Sequence, residues 1–72
     1  MVPDPGSSVR ITVYDLAGRV VRTLVDDDLP GGNYVATWHG RDDRGRQMTS
    51  GVYFYRLEIG DYRVERKMVM LK

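Results

Sequence analysis

The sequence predicts a small all-β domain, a Greek-key β-sandwich of about five strands. Three observations predict it. Apolar and polar residues alternate over short stretches, β-branched and aromatic residues dominate those stretches, and Gly, Asp and Pro turn signals recur between them. No segment carries the period of a helix. Seventy-two residues make a single domain. The chain has no cysteine, so no disulfide assists a core of this size and apolar burial has to hold it.

Each element follows from local chemistry. Residues 1–8, Met-Val-Pro-Asp-Pro-Gly-Ser-Ser, read as a linker or remnant loop, because two prolines, a glycine and two serines do not favour a ladder. The sandwich itself is expected over 9–72. Val9 to Tyr14 alternates as a half-buried strand does. Asp15-Leu16-Ala17-Gly18 turns the chain, with Gly18 free to take a positive φ and Asp15 able to bond forward to the turn backbone. Arg19 to Leu24 returns, closing a hairpin over 9–25. Asp26-Asp27-Asp28 reads as a solvated acidic run and Leu29-Pro30-Gly31-Gly32 as a loop. Asn33 to Trp38 is expected as a third strand with Tyr34, Ala36 and Trp38 on one face. Residues 39–49 form a long corner with Gly40, Asp42 and Gly45 as turn residues. Gly51 opens a fourth strand that runs to Ile59, Gly60-Asp61 is a tight turn, and Tyr62 to Leu71 is the last strand. Val13, Val21, Leu24, Tyr34, Trp38, Tyr53 and Leu57 are the expected core. Sandwiches of this class usually have about seven strands, so with five one sheet is thin and at least one edge lies open.

The composition excludes several functions. Eleven basic and ten acidic residues leave a net charge of +1, without the basic excess of a nucleic-acid binder. No apolar run approaches the ~20 residues of a membrane-spanning helix. The first residues lack the charged and apolar regions of a signal peptide, so secretion would depend on a leader in a longer precursor. His39, the single histidine, has no nucleophile or orienting carboxylate in a recognisable pattern, and zinc needs more nitrogen or sulfur ligands. Asp42 and Asp43 lack the alternating ligands of a calcium loop, and the capping of a turn accounts for them. Gly40 to Gly45 lacks the Gly-Lys-Ser/Thr ending of a phosphate loop. The aromatic group Tyr34, Trp38, Tyr53, Phe54 and Tyr55 suits core packing better than a sugar platform. No catalytic residue, metal ligand or cofactor site is expected.

The hairpin Val13 to Leu24, the strand Gly32 to Trp38, the corner Gly40-Arg41-Asp42 with Gly45-Arg46, the run Ser50 to Leu57 and the close Arg66 to Lys72 together resemble one bacterial family. This is the Ig-like (fibronectin III-like) domain of the flagellar hook-capping protein type, a module that recurs as the C-terminal sorting domain of type IX secretion cargo. The resemblance spans about residues 9–72. Two departures stand out. His39 replaces an Asp that braces the corner in the family, and the family's first strand is absent, with only Met1 before a loop-like Val2 to Gly6. The resemblance implies a non-catalytic accessory module on a secreted or cell-surface bacterial protein. Its sorting role would be read by secretion machinery at Arg66, Lys67, Met68, Val69 and Lys72, so that removing 66–72 blocks export. The alternative is a structural assembly module: a hook-cap Ig-like domain or a strand-exchanging filament subunit. The expected partners are proteins, either secretion machinery or domains of the parent protein, and self-association through an open sheet edge is a further expectation.

Overall fold

The computed structural model describes residues 1–71. It contains four strands: β1 (Val2–Tyr14), β2 (Val20–Gly32), β3 (Gly51–Ile59) and β4 (Tyr62–Met70). They form one antiparallel sheet in the order β2-β1-β3-β4. The described residues are all-β, as their patterning predicts. β1–β2 and β3–β4 are hairpins, and residues 33–50 cross from the β2 edge over one face of the sheet to β3.

That crossing is where the second layer differs from expectation. Residues 33–38 have the alternation of a strand but belong to none, because no neighbouring strand lies alongside to complete a ladder. The second layer is an irregular cover over the sheet, and the described residues hold four strands where about five were expected. Trp38 and Met48 of the cover pack on the buried cluster Val13, Val21 and Tyr53, joined by Leu24, Met68 and Met70. The Trp38 ring meets Tyr53 edge-on, with centroids 5.0 Å apart. Tyr34, expected in the core, is 49% exposed, and its hydroxyl donates to the Pro30 carbonyl at 2.6 Å. Leu57, also expected in the core, is half-buried beside an apolar trough.

The two stretches that read as loops are strand. Residues 2–8 pair with 28–32 to lengthen the first hairpin: Ser7 opposes Leu29, Ser8 opposes Asp28, and Val2 opposes Gly32 and is buried. The prolines are accommodated because the register jumps between Val2 and Gly6, so Pro3 and Pro5 fall where the ladder is already interrupted. Gly6 re-enters the ladder at φ 134°, and a Cβ there would lie 2.6 Å from the Leu29 carbonyl oxygen. Only glycine permits that approach. Asp26-Asp27-Asp28 and Leu29 to Gly32 likewise continue β2 rather than leaving it.

Candidate interaction surface

Backbone parity decides which residues each edge strand turns outward. The Gly60 N–H donates to the Ser8 carbonyl at 3.0 Å. Polar backbone groups alternate between neighbours along an antiparallel strand. Even-numbered residues of β3 therefore face β1 and odd-numbered ones face β4. Through the pairs Tyr55–Arg66 and Tyr53–Met68, the even-numbered residues of β4 bond to β3. Arg63, Glu65, Lys67 and Val69 direct their backbone groups away from the sheet.

On the opposite edge the corner closes β2. The Asp43 N–H donates to the Val21 carbonyl at 3.0 Å, and the Thr23 N–H donates to the Asp43 carboxylate at 3.2 Å. One aspartate thus takes the place of a neighbouring strand at two backbone groups. Arg22 adds a bond from its guanidinium to the Asp42 carbonyl at 2.8 Å. Further along, the Asp28 N–H is capped by the Asp27 carboxylate at 2.8 Å, and Pro30 has no N–H to leave open.

Asp42 holds the corner itself. Its carboxylate accepts from the N–H groups of Arg44 (3.0 Å) and Arg46 (2.8 Å) and from the Arg46 side chain (2.9 Å). The Arg46 backbone N–H is the chief cause of a carboxyl pKa below its ordinary range; burial opposes the shift, and the Arg46 side chain and Arg44 N–H assist it. The Trp38 indole donates to the Arg41 carbonyl at 2.8 Å and Gln47 donates to the Gly40 carbonyl at 2.9 Å. These bonds brace the corner without His39, which is exposed. Gly40 has φ 75°, and a Cβ on it would lie 2.7 Å from the Met70 sulfur. Asp15 plays a similar part in the first turn: it accepts from the Arg19 N–H and side chain at 2.9 and 3.0 Å, and that backbone N–H is the main cause of its own lowered pKa.

The residues proposed from sequence to meet partners divide by exposure. Arg66, Lys67 and Val69 are exposed, Val69 to 61%, whereas Met68 is half-buried and packs on the core. Lys72 lies outside the described residues. The sheet face bearing Lys67 carries an ordered charged row. Arg56 reaches Glu65 at 3.1 Å and lies over the Tyr14 ring, 5.2 Å from its centroid. Sequence reasoning missed Asp43 as an edge cap and Glu65 as a member of this row. The Asp-rich corner was the available signal for the first; the second required the β3–β4 register.

Asp42 is occupied by its own corner, and among the described residues no three His, Cys, Asp or Glu side chains gather as a metal site. No helix of the described residues is long and apolar enough to cross a membrane. An apolar trough of about 440 Å³ runs between Val9, Ile11, Leu57 and Ile59 of the sheet and residues 34–36 of the cover.

Comparison with known proteins agrees with the fold. The profile of the FlgD Ig-like domain matches residues 1–63. The basal-body rod modification proteins FlgD of Salmonella typhimurium and Salmonella typhi are each 39% identical over 49 residues, which is 68% of this chain and 21% of theirs. The chain therefore spans about a fifth of the length of these relatives. No solved structure matches. With its all-β sheet, its braced corner and a family match from Met1 through β3 to the opening of β4, the chain belongs to the FlgD Ig-like domain family.

Proposed function

We propose that this domain is a non-catalytic assembly module of the flagellar hook-capping kind, working outside the cytoplasm by presenting its surface to protein partners. The observation that carries this reading is the family match over 1–63, seconded by two relatives whose names place them in basal-body rod modification. The polar groups of the corner support it, since they bond to the corner itself and to β2. The sorting role has less behind it. Its residues, Arg66 to Lys72, lie beyond the matched segment, and exposure of Arg66, Lys67 and Val69 is all that favours it.

One genetic experiment separates the two. The segment encoding the domain is removed in frame in the native host, and the protein that carries it is followed by fractionation while flagella are counted by electron microscopy. The assembly reading expects export to persist and hooks or filaments to fail. Retention of the protein inside the cell, with flagella intact, would establish sorting instead.

A further inference from the structure

We infer that β4 is a docking edge for β4 of a second copy of this domain, in the one antiparallel register that sets Glu65 of each copy opposite Lys67 of the other. This inference is independent of the flagellar reading, because it rests on the edge alone.

Arg63, Glu65, Lys67 and Val69 turn their backbone groups away from β3, as the Gly60–Ser8 bond and the β3–β4 register require. Among the described residues no side chain or loop bonds to those groups. An exposed edge of this kind is a template for a further strand. The charges then select the partner and the register. When a strand pairs antiparallel with its own copy, outward residues must oppose outward residues, and three such alignments keep at least seven residues of β4 overlapped. One sets Glu65 against Glu65 and Arg63 against Lys67. Another sets Lys67 against Lys67. Both oppose like charges, which destabilises directly facing pairs. The third sets Glu65 against Lys67, and two-fold symmetry makes that pair twice.

The third alignment also suits the other side chains. It sets Val64 against Met68 and Tyr62 against Met70, and brings Val69 against the aliphatic stem of Arg63. Tyr62 and Val69, each 61% exposed in the single copy, gain apolar neighbours. Glu65 is already held at the edge by two bonds from Arg56, at 3.1 and 3.3 Å, so little side-chain freedom remains to be lost. Arg66 meets its own copy at the axis, the one like-charge pair, and its long stem lets the two guanidinium groups diverge into water. The joined sheet would run through eight strands, with β2 at both ends.

The test uses the 72-residue chain in analytical ultracentrifugation over a wide concentration range. A monomer–dimer equilibrium is expected. Glu65→Lys and Lys67→Glu should each weaken it at least tenfold, and the double variant, which exchanges the charges, should bring it back to within about threefold. Because Glu65→Lys also removes the Arg56 contact, folding is checked by circular dichroism, and Lys67→Pro gives a second probe. It deletes an outward N–H that β3 does not use, so it should yield a folded monomer. A monomer at every concentration, assembly beyond the dimer, or a dimer indifferent to the charge reversals and to proline would each overturn the inference.

Discussion

Along β2, several outward-facing backbone groups are met by the chain itself: Asp43 bonds at Val21 and Thr23, Asp27 caps Asp28, and Pro30 brings no donor. Along β4, Arg63, Glu65, Lys67 and Val69 face outward with only their side chains around them. Both strands lie at the rim of the same sheet, and both are rich in charge. The difference is that β2 uses carboxylates to satisfy backbone donors, whereas β4 uses charge to discourage unspecific pairing without filling the edge. A closed rim holds a fold together; an open one can choose a partner. The asymmetry places the bonds that cap backbone groups on one edge and the capacity for contact on the other.

The comparison can be broken most severely at Trp38. Trp38→Ala removes the ring that packs on Tyr53 and the donor that holds Arg41. It should cost about 3 kcal/mol in denaturant unfolding. Amide exchange at Thr23 and Asp43 should accelerate with it, because the corner then loses its seat and the β2 edge opens. Unchanged exchange at those two amides would separate the corner from the core.

Acid should act next. The carboxyl pKa values of Asp42 and Asp15 are lowered in the fold from an ordinary 3.8, so the unfolded chain takes up protons first as the pH falls. The stability these groups contribute is complete above that value and is lost as the pH drops through it toward the folded values. Thermal melts at stepped pH should show the decline setting in near pH 4, and Asp42→Asn should flatten most of it. A melt profile that Asp42→Asn leaves unaltered would remove Asp42 from its bracing role.

The smallest effect is expected from Asp43→Ala, which takes one exposed cap from the Thr23 N–H. A loss of about 0.5–1 kcal/mol is expected. Hydrogen exchange at Thr23 should show it, with β4 amides unmoved. If β4 amides also quickened, the two edges would be coupled rather than independent.

The second hairpin was legible almost residue for residue. Gly51 to Ile59, Gly60-Asp61 and the strand from Tyr62 follow from alternation and a two-residue turn, which are local signals. Residues 2–8 and 26–32 were not legible, because each stretch alone resembles a loop. They become strand by pairing with each other, a property of neither sequence separately. Residues 33–38 show the converse: strand propensity without a neighbour produces no strand. Tyr34 left the core for the same reason, since its face was assigned by an alternation that no sheet enforces. On the interaction side, the basic character of β4 was visible in Arg63, Arg66 and Lys67. The inward turn of Met68 and the pairing of Glu65 with Arg56 depend on register and appear only once the strands are aligned.

The missing Cβ of Gly40, whose place faces the Met70 sulfur, ties the middle of the chain to its far end. Position 40 is closed to substitution on two counts, since its φ of 75° already disfavours any side chain and a Cβ would meet both the Met70 sulfur and the Gln47 amide. Position 70 is the adjustable partner: among relatives of this domain glycine at 40 should stay fixed while 70 accepts shorter or equally flexible side chains.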